Sequence, residues 1–487
     1  MTTEMKVSKP VQMRRRLPKS KVYLITAAQN ATPVHEGFWK SLQHCAKFYN
    51  AEIVVIPGRY RNPTSQWTQA NDDHEWWAPE VADHLFLGRR KLTDRLIILG
   101  DVKVQWATRS PLSGMDTLTK NMSGIVGHSN RALRSIATPK HKHPKLMLTT
   151  GACTVPNYTD TKTGKIGEFN HCLGALIVET DGEIFFPRQL NADKTGAFID
   201  LDVEFTPNGP KLSAQALSIT MGDTHHRFIL PEVVKATFTS KTSMVNLLKP
   251  KNLVWHDLLD FHSRNHHHKG DWLSAYGKWE SGKECVRTEV EEAIEFVNRL
   301  TPNGCKSTIV SSNHDRALDR WLKEADFRSD PVNAEFYLEM ALKTLRSTRM
   351  GAGGVEYSDP FITYAKGLAK PGVRFLEQGQ SFVLADVEHG LHGDKGANGS
   401  RGSTKGLSTI GQKVTKGHDH MAGIVDGCIS TGTSTGPLEY EGGGPSAHSN
   451  AHVFLYANGK RTIVFIINGR WCLERTRRLG HKMAALA

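Results

Sequence analysis

Five short segments in the second half of the chain carry side chains that bind divalent metal ions, and each directly follows a run of apolar residues. In chain order they are Asp223-Thr224-His225, His256-Asp257-Leu258-Leu259-Asp260, Ser312-Asn313-His314-Asp315, His389-Gly390 and Gly417-His418-Asp419-His420. Their donors are carboxylates, an amide oxygen and imidazoles, without a thiolate. This combination is the chemistry of a site that holds two divalent first-row cations.

The apolar runs before these segments are predicted strands, and amphipathic helices alternate with them. Strands are predicted at 216–221, 252–255, 308–311, 382–387 and 414–416, and helices at 286–300, 316–327 and 334–345. Ligands in open α/β sheets gather beyond the carboxyl ends of the strands. The five segments are therefore expected to converge, although they span roughly 200 positions.

The first half of the chain also has an α/β pattern. A strand at 22–27, a helix at 38–49 and further strands at 53–56, 96–99, 146–149, 175–179, 184–186 and 198–205 are predicted. A turn at Pro207-Asn208-Gly209-Pro210 marks a candidate boundary. The predicted organisation is a basic arm at 1–20, an α/β accessory domain at 21–212 for DNA engagement or oligomerisation, and a catalytic domain at 213–487. No internal repeat is visible in the sequence.

The charge of the chain is compatible with a polyanionic partner. Among 487 residues, 62 Lys and Arg outnumber 49 Asp and Glu, which gives a net charge of +13. The basic residues are densest at 6–21, 131–145 and 470–482. Such segments either contact phosphates or are solvated loops and termini, and both interpretations stay open here.

Cysteine usage and hydropathy predict the compartment. The seven cysteines are scattered and form no CxxC pair, which indicates a reducing environment. No apolar run approaches the roughly 20 residues that cross a bilayer. We therefore expect a cytoplasmic protein without a membrane partner.

The ordered series of segments resembles the signature of calcineurin-like metallophosphoesterases, which reads DxH, GDxxD, GNHD, HG and GHxH. The resemblance covers about residues 215 to 470. It implies that residues 213–487 form a β-sandwich flanked by helices. Two glycines of the signature are replaced, by His256 and Ser312. These changes affect the expected turn geometry more than the ligand side chains.

The resemblance also implies roles for individual residues. One metal would be held by Asp223, His225 and His420, the other by Asn313, His389 and His418, with Asp257 as the bridging ligand. His314 would be the general acid that protonates the leaving oxygen, with its imidazole oriented by Asp315. Manganese is the expected ion by analogy with nucleases of this superfamily, with magnesium, iron and zinc as alternatives.

Four further residues have two interpretations each. His392 follows His389 by three positions and is an alternative ligand. His266 lies in the run 265–268, which is either solvent-facing or in contact with a phosphate. Arg401 and Lys405 lie in the Gly-rich segment 390–411 and either clamp a phosphate or belong to a solvated loop.

The substrate has to be inferred from the surroundings of the site, because this superfamily includes phosphatases, cyclic-nucleotide phosphodiesterases and DNA nucleases. The net charge, the basic arm and the large N-terminal domain favour DNA. The stretch HGLHGDKGANGSRG at 389–402, followed by GHDH, resembles metallophosphoesterases of tailed bacteriophages. That group includes a pre-early protein of T-five-like phages implicated in degrading host DNA.

The expected function is therefore that of a two-metal DNA phosphodiesterase, a phage nuclease acting in the host cytoplasm. Two alternatives stay open: a phosphomonoesterase acting on nucleotides or phosphoproteins, and a DNA-binding host-takeover module with a vestigial site. A homo-oligomer is compatible with the sequence.

Overall fold

The computed structural model describes residues 21–59, 76–139, 143–439 and 442–473. The basic arm predicted at 1–20 and most of the basic tail therefore lie outside the described residues. The described chain is a mixed α/β structure, as the sequence predicts. Its strands form two large sheets and several small ones, and helices cover the outer faces.

The strands are numbered in chain order. They are β1 (Val22–Gln29), β2 (Glu52–Gly58), β3 (Arg89–Thr93), β4 (Leu96–Leu99), β5 (Ser123–Val126), β6 (Leu133–Ile136), β7 (Lys145–Thr149), β8 (Gly174–Thr180), β9 (Phe185–Asn191), β10 (Phe198–Asp200), β11 (Val203–Thr206), β12 (Gly209–Leu212), β13 (Ser218–Thr220), β14 (Asn252–Trp255), β15 (Lys306–Val310), β16 (Arg349–Gly351), β17 (Gly354–Glu356), β18 (Val373–Leu376), β19 (Val383–Leu384), β20 (Val387–Glu388), β21 (Lys413–Lys416), β22 (Gly423–Val425), β23 (Cys428–Ser430), β24 (Ala451–Leu455) and β25 (Arg461–Phe465).

The α-helices are numbered in the same way. They are α1 (Glu36–Tyr49), α2 (Lys162–Phe169), α3 (Pro231–Val234), α4 (Met244–Leu248), α5 (Trp272–Glu280), α6 (Val286–Leu300), α7 (Ala317–Glu324), α8 (Ala334–Ser347), α9 (Pro360–Leu368) and α10 (Thr404–Leu407).

A six-stranded sheet in the second half has the order β18-β15-β14-β13-β24-β25. Its first four strands are parallel, so their carboxyl ends lie at one edge. The amphipathic helix α6 packs on this sheet, with Val290, Ile294 and Val297 buried in the same apolar cluster as Leu253 and Ile309. The sequence prediction for this helix, 286–300, is confirmed.

A ten-stranded sheet contains strands from both halves of the chain, in the order β19-β20-β21-β23-β22-β6-β7-β5-β4-β3. The halves join where β22 pairs antiparallel with β6, with Ile424 opposite Leu133. Strands from both sides of the turn at 207–210 are thus hydrogen-bonded into one sheet. An apolar cluster between this sheet and the sheet β2-β1-β8-β9 includes Ile25, Leu148 and Ile429.

The two halves of the described chain repeat one strand topology, although no internal repeat was predicted from the sequence. Counted from either end, the ten-stranded sheet has the same succession of antiparallel and parallel neighbours. The other sheets match as well. In the first half, β1 pairs parallel with β2 and antiparallel with β8, which pairs antiparallel with β9. In the second half, β13 pairs parallel with β14 and antiparallel with β24, which pairs antiparallel with β25. The strands β15 and β18 extend the second half only.

The strand registers align residues of the two halves. Val126 on β5 pairs with Thr149 on β7, and Lys416 on β21 pairs with Ser430 on β23. These two pairs occupy equivalent positions in the two halves. The isolated bridges from Val34 to Thr154 and from Ile229 to Thr435 follow the same alignment. It places Gly127-His128-Ser129-Asn130 at the position of Gly417-His418-Asp419-His420.

A buried ion network holds the sheet of the first half to the strands that follow it. The Arg188 guanidinium donates to Asp200 over 2.7 and 2.8 Å and lies 2.6 Å from Glu179. The Tyr49 hydroxyl donates to the same Asp200 carboxylate over 2.9 Å. Because these groups are almost fully buried, each charge depends on its partner.

Two expectations about local structure were wrong. The stretch 382–387 is two short strands, β19 and β20, because Ala385 and Asp386 adopt left-handed conformations and form a tight turn. The stretch 198–205 is likewise two strands, β10 and β11, separated by Leu201 with φ 54°.

Candidate metal centre

The five ligand-rich segments converge as predicted, at the carboxyl edge of the parallel strands. Asp223 follows β13, Asp257 follows β14 and Asn313 follows β15, all in the six-stranded sheet. His418 follows β21 of the ten-stranded sheet, and its backbone N–H donates to the Asp223 carboxylate over 2.7 Å. This hydrogen bond joins the edges of the two large sheets at the site.

One group of ligand atoms contains His225, Asp257 and His420, whose donor atoms lie within 4.8 Å of one another. The His225 Nε2 atom is 3.1 Å from His420 Nε2 and 3.7 Å from an Asp257 oxygen. Asp223 adds a carboxylate oxygen 3.5 Å from His420 Nε2. These four residues could hold one metal ion.

A second group contains Asp257, His392 and His418, again within 4.8 Å. The His392 Nε2 atom is 3.2 Å from Asp257 Oδ2 and 3.0 Å from the side-chain oxygen of Asn313. Asp257 belongs to both groups. The arrangement therefore has one carboxylate between two clusters of terminal ligands, which is what a pair of bridged cations requires.

The buried carboxylates of the site fit metal ions better than they fit the surrounding protein. Asp223 and Asp257 are almost completely buried. One oxygen of Asp223 and the Oδ1 oxygen of Asp257 have no hydrogen-bond donor among the described residues, and the His392 ring lies 3.2 Å from Asp257 Oδ2. Buried anions without donors are costly, and metal coordination would satisfy these oxygens.

The backbone at the site is strained in a way that indicates function. His225, Asp257, His418 and His420 have φ angles of 39°, 42°, 75° and 53°. Such left-handed conformations are uncommon for residues other than glycine, and they concentrate at functional sites. Gly417 is required next to them, because a Cβ atom there would lie 2.2 Å from an Asp223 oxygen.

His389, which the family resemblance implies as a ligand, belongs to neither group of ligand atoms, and its buried Nε2 atom has no hydrogen-bond partner among the described residues. Its Nδ1 atom is 3.1 Å from the Thr220 hydroxyl, and its ring packs beside Phe382. The structure thus brings His392, the alternative from the sequence, next to Asp257 and Asn313. Three positions along the chain separate the two histidines, so the motif alone could not choose between them.

His314 lies at the edge of the site. Its ring meets the His225 ring edge-on at 4.7 Å, and its Nδ1 atom is 3.1 Å from the Asp260 carbonyl oxygen. The Asp260 side chain also lies 3.2 Å from His225 Nδ1. Asp260 therefore positions both a metal-site histidine and His314.

Asp315, expected to orient His314, has other partners. Its carboxylate accepts hydrogen bonds from the Leu259 N–H over 2.9 Å and from the Ser312 hydroxyl over 2.8 Å. Ser312 stands where the family signature has glycine. Asp315 thus ties the third ligand segment to the second.

The electrostatics of the site follow from burial and mutual charge. Burial would raise the pKa of Asp257, but the neighbouring His392 and His314 outweigh it and hold the pKa well below its ordinary value. Burial would lower the pKa of His392, but Asp257 outweighs burial and raises it to about 9. Burial raises the pKa of Asp315 to about 7, and the charge of Asp257 acts in the same direction.

One outer residue was missed by the sequence reasoning. The Nε2 atom of His448 is 3.3 Å from His420 Nδ1, and its Nδ1 atom contacts the Ser446 hydroxyl. Such an outer contact fixes the orientation of a ligating imidazole. No motif contains His448, because it lies in a loop more than 20 residues after His420.

The three residues predicted to bind substrate are exposed around this centre. His266 lies in a short 3-10 turn, and its pKa is lowered by burial, by His267 and Arg320 and, more weakly, by His314. Lys405 lies on α10, which is joined to the site by a 2.7 Å hydrogen bond from Thr404 to Asp419. Arg401 bridges back to Lys395 in the same segment.

Comparison with known proteins gives one strong relative. It is Protein A1 of Escherichia phage T5, which is 32% identical over 474 residues, 93% of this chain and 83% of the relative. The chain belongs to the A1 family. The name of that phage protein states no activity, so the similarity shows a shared family with a bacteriophage protein.

Two other comparisons found no match. No model of a known protein family matches the chain, and no solved structure matches it significantly. Among the described residues, no helix has the length and apolar character needed to cross a membrane.

Proposed function

We propose that this member of the A1 family is a two-metal phosphodiesterase that hydrolyses DNA. The observation that carries the proposal is the shared position of Asp257, whose buried oxygens lie between two clusters of terminal ligands. A bridged metal pair is used where an attacking oxygen and a leaving oxygen must both be stabilised, as in phosphoester hydrolysis.

The proposed mechanism divides the work between the metals and the chain. Two bound divalent ions would supply Lewis acidity and an activated water. His314 would donate a proton to the leaving oxygen, a contribution worth about 10²–10⁴-fold. The Asp260 carbonyl fixes His314 Nδ1, which leaves Nε2 as the nitrogen that delivers the proton.

The net charge of the chain and its phage relative support DNA as the substrate. The net charge of +13 favours a polyanion, and the relative is encoded by a phage. A phage nuclease would act on host DNA in the host cytoplasm, where the seven cysteines would stay reduced.

We further propose a calcineurin-like metallophosphoesterase organisation for residues 213–487. The order of the ligand segments supports it, as does an apolar cluster that contains Ile429 of the ten-stranded sheet and Val453 and Ile463 of the six-stranded sheet. Manganese is the proposed ion by analogy with nucleases of the superfamily that the motifs resemble; the carboxylate and amide oxygens of the site suit manganese, whereas its imidazoles also suit iron and zinc.

The direct test is incubation of the purified protein with supercoiled plasmid, linear duplex and single-stranded DNA, with and without manganese. Bis(p-nitrophenyl) phosphate and p-nitrophenyl phosphate serve as small diester and monoester substrates. We expect manganese-dependent cleavage of DNA and of the diester. Hydrolysis of the monoester alone would favour the phosphomonoesterase alternative, and metal binding without any hydrolysis would favour a vestigial site.

A further inference from the structure

The helix α5 presents almost all of its side chains to solvent. Trp272 is 74% exposed, Tyr276 58% and Trp279 61%, and within the helix only Lys278 is buried. An isolated helix of nine residues is marginal in water, and large exposed aromatic side chains mark interaction sites. This helix therefore has the properties of a docking element.

Three of these aromatic residues form a single stripe. Trp272, Tyr276 and Trp279 are spaced i, i+4 and i+7, which places them on one face of the helix over about 10 Å. The Tyr276 and Trp279 rings have centroids 5.7 Å apart and planes inclined by 41°. We call these three residues the aromatic stripe.

The helix α5 is joined to the candidate metal centre at both ends. The segment that leads from Asp260 to α5 contains His266, and Asp271 caps the helix by accepting from the N–H groups of Leu273 and Ser274. After the helix, the Lys283 carbonyl oxygen accepts a 2.8 Å hydrogen bond from the guanidinium of Arg227, which lies two residues after His225. The helix is thus anchored to two of the segments that carry candidate ligands.

The chemistry of this surface fits unpaired nucleotides. Exposed lysines stand at both ends of the helix, Lys269 before it and Lys283 after it. Aromatic side chains flanked by cations bind single strands, because every base has a π-face and every linkage a negative charge. In a duplex the base faces are already stacked on one another, so they are not available to a protein side chain.

We propose that the aromatic stripe binds unpaired bases of a nucleic acid whose phosphodiester lies at the metal centre. The inference rests on the proposed function and specifies its substrate class as single-stranded DNA or duplex DNA with an unpaired end. Each stacked base is worth about 1–3 kcal/mol, which corresponds to about 5–150-fold in affinity.

The test compares the parent with Trp272→Ala, Trp279→Ala and the combined variant with Tyr276→Ala. Binding of a fluorescent 20-nucleotide oligothymidylate is measured by anisotropy in EDTA, so that no hydrolysis is needed, and a matched duplex is measured beside it. A matched control replaces Leu338, Leu342 and Leu345 on α8 with alanine, since they are 50%, 48% and 69% exposed. We expect each single variant to lose at least about 5-fold in oligothymidylate affinity and the combined variant more. Duplex binding, the α8 control and turnover of bis(p-nitrophenyl) phosphate should be unchanged.

Several results would overturn the proposal. These are a parent that does not bind oligothymidylate, a combined variant that binds it as the parent does, and equal losses for single strand and duplex. Dissociation of an oligomer in the combined variant, with unchanged oligothymidylate binding, would show instead that α5 contacts a second copy of the chain. A selective loss of binding in a protein that cleaves no DNA would refute the proposed function and leave the aromatic stripe in place.

Discussion

Replacing His392 with alanine tests which histidine completes the second group of ligands. In the structure His392 Nε2 lies 3.2 Å from Asp257 and 3.0 Å from Asn313, whereas His389 contacts Thr220. The His392→Ala variant is expected to bind about one metal ion per chain, and the parent about two. His389→Ala is expected to keep both.

The magnitudes follow from the contacts. Loss of an outer partner of a ligand costs about 10–100-fold in metal affinity, so loss of a ligand should cost more than about 100-fold. In the metal-free protein His392→Ala leaves the buried Asp257 carboxylate without its nearest cation. That loss costs about 3 kcal/mol, the lower end of the usual range for breaking a buried pair, because His225 remains 3.7 Å away.

His389→Ala is the matched control. It removes a fully buried ring and the contact with the Thr220 hydroxyl, which should cost about 2–4 kcal/mol of folding stability. The two variants are therefore destabilised to a similar extent and should differ in metal content. Urea denaturation in EDTA measures the folding stability, and manganese titration with elemental analysis measures the metal content. Loss of an ion from His389→Ala, with both ions kept in His392→Ala, would refute the assignment of His392.

Four other substitutions test separate parts of the structure. Asp257→Asn should abolish activity and lower the content of both metals, since the bridging charge is lost; elemental analysis checks it, and full retention of metal and activity contradicts the two-metal site. His314→Ala should keep both ions and slow DNA cleavage about 10²–10⁴-fold, because it removes the proposed proton donor. The loss should be much smaller for a substrate with a nitrophenolate leaving group, which departs without protonation. Equal losses on both substrates argue against His314 as the general acid. Replacing Arg14, Arg15 and Arg16 with alanine should weaken DNA binding and reduce the slope of log K against log salt by about 0.9 for each lost phosphate contact. An unchanged slope means that the arm does not bind DNA. Arg188→Met should destabilise the protein by about 3–5 kcal/mol in urea denaturation without changing metal content, because two buried carboxylates lose their cation, and a neutral result contradicts the importance of this network.

The sequence predicted the convergence of the ligand segments and the bounds of some of the elements around them. Apolar periodicity identified α6 and β14 with their observed bounds, since both bury a continuous face in the core. The ligand segments were found because each one directly follows a strand. The choice of His392 over His389 could not be made, because both lie close together after β20 and only the path of the following backbone decides which ring reaches Asp257.

Pairing between distant strands was also beyond the sequence. The contact of β22 with β6 joins residues almost 300 positions apart, and short apolar strands carry no information about their partners. The related tetrapeptides at 127–130 and 417–420 were a signal that could have revealed the repeat. Their different ligand content concealed it.

The repeated strand topology means that the two halves of the described chain share one framework and differ in the side chains at its edge. A Cβ atom at Gly417 would meet Asp223 and His256, whereas a Cβ atom at the equivalent Gly127 would meet Ala27 and Ile56. His128 survives at the position of His418, but its Nε2 atom lies 3.1 Å from the Gln105 carbonyl and Trp106 stacks on its ring. The first half thus has the strand framework of the second half without carboxylates at these positions. A single polypeptide therefore has the layout of a linked dimer of two unlike partners, in which substitutions in the first half should change folding stability and leave the candidate metal ligands in place.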